Sequence, residues 1–313
     1  MSTSNTPRPA KALLILAFAI LYVVWGSTYM AIRVTVETLP PFLSGAARFL
    51  IAGGALLILL RMRGMPWPDR LQWKRSAIAG LLMLVGGNGL VVWAEKSIPS
   101  GLAALLVALT PIWFALLEWA RPGGARPQAR TVIGVLIGFG GIVLLVNGEA
   151  SANGTWLAAL AVVVAGICWA GGSLYSRHAP GTASPWMNAA TQMFSGGVGL
   201  LAAGLLFGEP FRTEWQAISA RSLYALGYLI VFGSWIAFSA YVWLLQVSTP
   251  SRVSTYAYVN PVIAVFLGWA LLGEQVSSRM FFGMLIIVAG VVIITVQQRP
   301  APAALRACAE NAS

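Results

Sequence analysis

Few residues in this 313-residue chain could carry chemistry, and most of them lie inside long apolar runs. The single histidine, His178 in "RHAPG", has no nucleophile or carboxylate beside it in the sequence. Cys168 lies in an apolar run and Cys308 near the end, so the two cysteines give neither a disulfide framework nor a metal-ligand spacing. No GxxxxGK[ST] motif is present, so nothing in the chain is built to use a nucleotide. No catalytic residue, metal or cofactor is therefore expected. The chemistry that remains is recognition by indoles, phenols, hydroxyls and amides. Trp25, Thr28 and Tyr29 fall at i, i+3 and i+4 and share a helical stripe, and Trp169 with Ser173 repeats part of it. Trp235, Ser239 and Trp243 form a similar line, and Asn88 sits in "GGNG", where glycines allow close backbone approach. Tyr256, Tyr258 and Asn260 are packed into "STYAYVNPVIAVFLGWALLGE" at 254–274, which is otherwise as apolar as a membrane helix.

A helix polar on two faces is costly in lipid. Successive residues turn by about 100°, so Ser254, Tyr258 and Pro261 share one face while Tyr256 and Asn260 share nearly the opposite one. Such a helix belongs in the middle of a bundle, against protein or a cavity. Pro261 removes a backbone donor and frees a carbonyl near Ala257; Pro111 repeats the device, preceded by Thr110 in place of Asn260. Both prolines are hinge candidates, against the plainer alternative of a packing kink. Tyr and Trp near helix ends are more often interfacial anchors, which suits Trp93 and Trp243. Of the charges, Arg48 stands about eight residues into an apolar run, at an insertion cost of about 3 kcal/mol, and would pair with Glu95 or contact an anion. Snorkelling to the interface is the plainer alternative.

The elements that must position these residues are membrane spans. The chain is 58% hydrophobic and only 9% charged, where a soluble domain carries about 25% charged residues. Ten runs reach or approach the roughly 20 residues a span needs: 12–32, 40–60, 74–94, 100–120, 129–147, 155–176, 185–207, 222–245, 252–272 and 279–297. The first has a basic start, but it continues apolar to Ile32 without a clear cleavage site, so it is expected to be an uncleaved helix. Of 20 basic residues, Arg33, Lys96, Arg212, Arg221 and Arg279 fall on one side and Arg48 within a span. The other 14 lie on the side of the termini, which sets both termini in the cytoplasm. The net charge of +11 is thus mainly a topology signal and calls for no nucleic-acid partner.

The second half repeats the first. At an offset of 144, Trp25 falls on Trp169, Arg33 on Arg177 and Pro41 on Pro185. At an offset of 150, "VW" at 92–93 meets "VW" at 242–243, and Pro111 meets Pro261. Five spans per half is an odd number, so the second copy is inverted in the membrane. The expected organisation is a cytoplasmic tail at 1–11, a first repeat at 12–147, a second at 154–297 and a cytoplasmic tail at 298–313.

The motifs "VVWGSTYMAIRV" at 23–34, "PPFLSGAARFLIAGG" at 40–54, "GGNGLVVWAEKSIPSGLAALLVALTPIW" at 86–113 and "TYAYVNPVIAVFLGWALLGE" at 255–274 resemble EamA-domain exporters of the drug/metabolite transporter superfamily, in particular their YedA-type members. The resemblance spans residues 12–297. It implies an all-α integral membrane protein of ten transmembrane helices in two inverted five-helix repeats. It also implies a central cavity lined from both repeats, with the fifth and tenth helices peripheral, in the bacterial cytoplasmic membrane. The expected function is a secondary transporter exporting small metabolites, amino-acid-like compounds or drugs by alternating access. The alternative is a passive channel or facilitator. The partners called for are a small-molecule substrate and the lipid bilayer.

Overall fold

The computed structural model describes residues 11–121, 129–145, 155–178 and 184–295. The expected tails fall almost wholly outside these residues. Among the described residues the chain is helical, without strands. The helices are α1 (Lys11–Thr35), α2 (Pro41–Met62), α3 (Arg70–Ala94), α4 (Ser100–Ala120), α5 (Ala129–Leu145), α6 (Trp156–His178), α7 (Pro185–Leu206), α8 (Ala220–Val247), α9 (Tyr256–Leu272) and α10 (Ser278–Thr295). Seven of these are long and apolar enough to cross a membrane. The other three, α5, α9 and α10, run 17, 17 and 18 residues. Large apolar side chains such as Ile15, Ile58, Leu206 and Phe282 stand exposed around the bundle, as lipid-facing residues must.

Helix ends are set locally at some positions and across the repeats at others. Asp69, Ser184 and Ser219 each accept a hydrogen bond from a backbone N–H three residues on, opening α3, α7 and α8. Prolines precede α2 and α4 and can offer no such oxygen. Glu209 supplies it for α2, accepting from the N–H groups of Phe42 and Leu43 at 3.0 and 2.8 Å. Glu274 does so for α4, accepting from Ser100 N and Gly101 N at 3.0 and 3.3 Å and from the Ser100 hydroxyl.

The two repeats meet along α2 and α7, which cross at Gly53 and Gly197, themselves 144 residues apart. A Cβ on Gly53 would lie 2.6 Å from Phe194 N, and one on Gly197 2.8 Å from Leu50 N. Without a strong hydrophobic drive between helices in lipid, such small residues bring backbones into contact. α3 packs between α6 and α7, α1 against α8 and α9, and α4 against α6 and α9. α5 and α10 pack mainly on each other at the side.

Regular α-geometry breaks at four places, in two repeat-related pairs of helices. In α3 the stretch Leu81–Gly89, and in α8 the stretch Leu229–Phe238, form π-type turns with an extra residue per turn. At the 150-residue offset these stretches coincide to within two residues. α4 is interrupted at Ala108–Leu109 and restarts with Pro111 in its first turn, so this proline does mark a break. Pro261 does not: it lies inside a continuous α9. The interruption falls earlier, at Ser254–Thr255, after a single turn Pro250–Val253. Asn260, just before the proline, fastens α9 through its side chain. With its amide oriented to suit its neighbours, Nδ2 donates to the carbonyls of Tyr256 and Tyr22 at 3.1 Å each, tying α9 to α1.

Arg33 and Arg177, repeat mates at the ends of α1 and α6, play the same part in each half. The Arg33 guanidinium donates to the backbone carbonyl of Glu95 at the end of α3. That of Arg177 donates to the carbonyls of Leu245 and Ser248 at the end of α8, at 2.7 and 2.6 Å. Residues 95 and 245 are themselves repeat mates. Each repeat therefore ties its first helix to the end of its third by the same bond, and a cation meets the last orphan carbonyls of a helix.

Candidate functional site

A small cavity of about 70 Å³, the central void, lies in the middle of the bundle. α1 contributes Trp25, Thr28 and Tyr29; α2 contributes Arg48 and Phe49; α3 contributes Leu84, Gly87, Asn88 and Val91; α4 contributes Val107 and Thr110. From the second repeat come Ala165, Gly166 and Trp169 of α6, Gly233 and Phe238 of α8, and Tyr256 and Asn260 of α9. No described residue of α5, α7 or α10 lines it. The void is smaller than the 150 Å³ or so that admits a benzene molecule, so any metabolite-sized ligand requires the helices to part.

Of the sequence candidates, the structure brings Trp25, Thr28, Tyr29, Asn88, Trp169, Tyr256 and Asn260 to this one space, together with Arg48. Thr110, the repeat mate of Asn260, joins them. Ser173 stands behind the wall, donating to Trp169 O at 2.6 Å and bonded to the Tyr241 hydroxyl at 2.7 Å. Trp235 and Ser239 are not in the lining; Trp235 faces outward with 37% of its surface exposed, and Ser239 is buried with its hydroxyl unpartnered. The line drawn through Trp235, Ser239 and Trp243 assumed 3.6 residues per turn, and the π-type turn in α8 inserts an extra residue that rotates Trp235 off it. The side chain of Tyr258 lies outside the described residues. The expected Arg48–Glu95 pair does not form: Arg48 Nε donates to Ser234 Oγ at 2.6 Å, while both Glu95 carboxylate oxygens are buried without a partner.

Tyr241 was missed. It is fully buried, and it completes a cluster in which the Trp25 ring meets those of Tyr241, Tyr256 and Trp169 at centroid separations of 4.9, 5.1 and 5.5 Å. Its hydroxyl accepts from Trp169 Nε1 at 3.0 Å. Trp25 Nε1 in turn donates to the Gly233 carbonyl in the wide turn of α8, at 3.2 Å. The cluster lies toward the end of the bundle that carries the 248–255 link, the inner end in the expected topology. A one-residue register shift after Phe238 is the signal that would have found Tyr241, and a wide turn leaves no clear mark in sequence.

At the opposite end a groove of about 850 Å³ opens between the starts of α2 and α6 and the ends of α3 and α7, beside residues 209–217. α3 separates it from the central void, presenting Leu84, Gly87, Asn88 and Val91 to the void and Val85, Gly86, Leu90 and Trp93 to the groove.

A membrane-spanning helical bundle in two inverted halves, with a small polar-and-aromatic void on the seam between them, defines the architectural class of a solute carrier. The chain belongs to the EamA-like transporter family, whose profile matches residues 12–147 and 156–296. It is 38% identical over 284 residues, 90% of each chain, to the uncharacterized inner membrane transporter YedA of Escherichia coli strain K12. It is 24% identical over 311 residues, 98% of each chain, to the uncharacterized transporter YvbV of Bacillus subtilis strain 168. A crystal structure matches with a TM-score of 0.66, covering 92% of this chain and 99% of that one at 21% identity, which shows the shared fold.

Proposed function

We propose that this protein is a secondary carrier that exports small metabolites, amino-acid-like compounds or drugs by alternating access. Its place is the bacterial cytoplasmic membrane, with both termini inside. The observation that carries the reading is the void itself: smaller than a metabolite in this conformation, lined from both repeats, and bordered by matching wide turns in α3 and α8. π-type turns leave carbonyls available for other donors and let a helix change twist locally, as the Trp25 bond to Gly233 illustrates. Rocking of one repeat against the other would then open either end in turn, the aromatic cluster parting on the inner side.

The test is counterflow by purified protein in liposomes, screened over amino acids, nucleosides and cationic drugs. Saturable exchange that is accelerated by unlabelled substrate on the far side is the expected result. Flux that rises linearly with concentration and shows no counterflow would make the protein a passive facilitator and sink the carrier reading.

A further inference from the structure

The void contains one formal charge without a counter-charge. Arg48 is 4% exposed, and its Nη1 is buried with no hydrogen-bond partner. Its Nε is held by Ser234, and its guanidinium lies 4.7 Å from the centroid of the Phe49 ring. No Asp or Glu lines the void, and none of the ion pairs among the described residues involves Arg48. An isolated cation at this depth is costly, and removing one from water is offset only by an anion with good geometry. A second buried group points the same way: Asn88 Oδ1, on the void's lining, is an acceptor without a donor. The remaining wall is aromatic and apolar.

We propose that the cargo of this cavity is a small organic monocarboxylate, its carboxylate on Arg48, a neighbouring N–H or O–H on Asn88, and its flat apolar body against Trp25, Trp169 and Tyr256. The inference rests on the carrier reading for its biological use but not for its chemistry. One free guanidinium edge suits one carboxylate, since a guanidinium matches carboxylate geometry and its positive charge is always present. A dianion such as a phosphate monoester would leave a negative charge uncompensated in a space with no second cation, so the charge count selects a monoanion.

The experiment uses three probes of one shape on the purified full-length protein: 3-phenyllactate, 3-phenylpropionate and the neutral 3-phenyllactamide. Ligand that binds the folded state raises the thermal midpoint with the logarithm of one plus its concentration over its Kd. The expected order is phenyllactate, then phenylpropionate, with the amide needing at least tenfold more for the same shift. In Arg48→Gln the advantage of carboxylate over amide should fall to within twofold, whereas Arg48→Lys should keep part of it. The unliganded Arg48→Gln protein should melt no lower than wild type, which a purely structural arginine would not allow. Equal potency of acid and amide on wild type, no shift with either acid, or an undiminished acid preference in Arg48→Gln would overturn the proposal. The comparison of probes on wild type decides even if a variant fails to fold. Counterflow separates the two readings. Saturable exchange of the amide without acid preference removes the anion site and leaves the carrier. Arg48-dependent acid binding with non-saturating flux removes the carrier and leaves the anion site.

Discussion

Tyr241→Phe isolates the aromatic cluster from its hydrogen bonds. The ring, and so the contacts at 4.9 Å to Trp25 and 5.4 Å to Trp169, is kept. The hydroxyl that receives Trp169 Nε1–H at 3.0 Å and pairs with Ser173 at 2.7 Å is lost. Ser173 retains its bond to the Trp169 carbonyl, so its loss is small. The indole N–H is different: in the closed arrangement it loses its 3.0 Å acceptor and is left with the Tyr256 hydroxyl, a net cost of about 0.5–1.5 kcal/mol. If parting of this cluster is the inner opening, water reaches the indole in the open state and the cost disappears there. The closed-to-open ratio should then fall by about 2- to 12-fold, at 1.4 kcal/mol per factor of ten. The assay is alkylation of Ala165→Cys, whose side chain lines the void, in a background without Cys168 and Cys308. A membrane-impermeant maleimide is applied to inside-out vesicles, where Tyr241→Phe should raise the rate by at least about twofold. An unchanged rate in a folded, inserted protein, or a rise only for reagent applied from the outer face, would refute the assignment of this cluster as the inner closure.

Three further pairs of substitutions test the frame around the site. Arg33→Met and Arg177→Met should each cost about 1.5–3 kcal/mol, seen as a lowered thermal midpoint, because each removes a charged donor from the terminal carbonyls of a helix; near-equal losses follow from their equivalence between the repeats. Glu274→Gln should destabilise by about 1 kcal/mol or more through the N-terminus of α4, whereas Glu95→Gln, whose carboxylate oxygens are buried and unpartnered, should leave the midpoint level or raise it. Gly53→Ala should cost about 1–3 kcal/mol by driving a Cβ into the backbone at Phe194, and the adjacent Gly54→Ala, with open space at its Cβ, should not. A matched gain at both glycines would mean that helix propensity, not the α2–α7 crossing, dominates.

What the sequence made legible was whatever follows from local pattern. The apolar runs marked the helices, the odd span count per half pointed to inversion, and the stripe of Trp25, Thr28 and Tyr29 reached the void because α1 is a regular helix throughout. Trp235 was misplaced and Tyr241 overlooked for one shared reason, the extra residue per turn in α8, whose cause lies in packing between helices rather than in the composition of the stretch. Pro261 misled in the opposite direction. Its missing donor leaves α9 unbroken, and Asn260, one position before it, binds the carbonyls of Tyr256 and Tyr22 from the side chain. The caps supplied by Glu209 and Glu274 bridge separations of 167 and 174 residues, beyond any local signature.

The inverted copies also divide into what duplication kept and what it let drift. Bonds that hold the frame recur: Arg33 with Arg177, Gly53 with Gly197, the wide turn of α3 with that of α8. Positions that face the void, apart from the Trp25–Trp169 pair, do not. Asn88 stands opposite Phe238, Thr110 opposite Asn260, and Val91 and Leu106 opposite Tyr241 and Tyr256. Arg48 has Gln192 as its mate, which bonds Ser176 in a separate small cavity instead. A frame that must work alike on both sides of a membrane is held to symmetry by its own mechanics. A ligand bound at the centre is not symmetric, so the residues that touch it are under no such constraint. The asymmetric positions are therefore where changes of specificity should be sought, Arg48 and Tyr241 first among them.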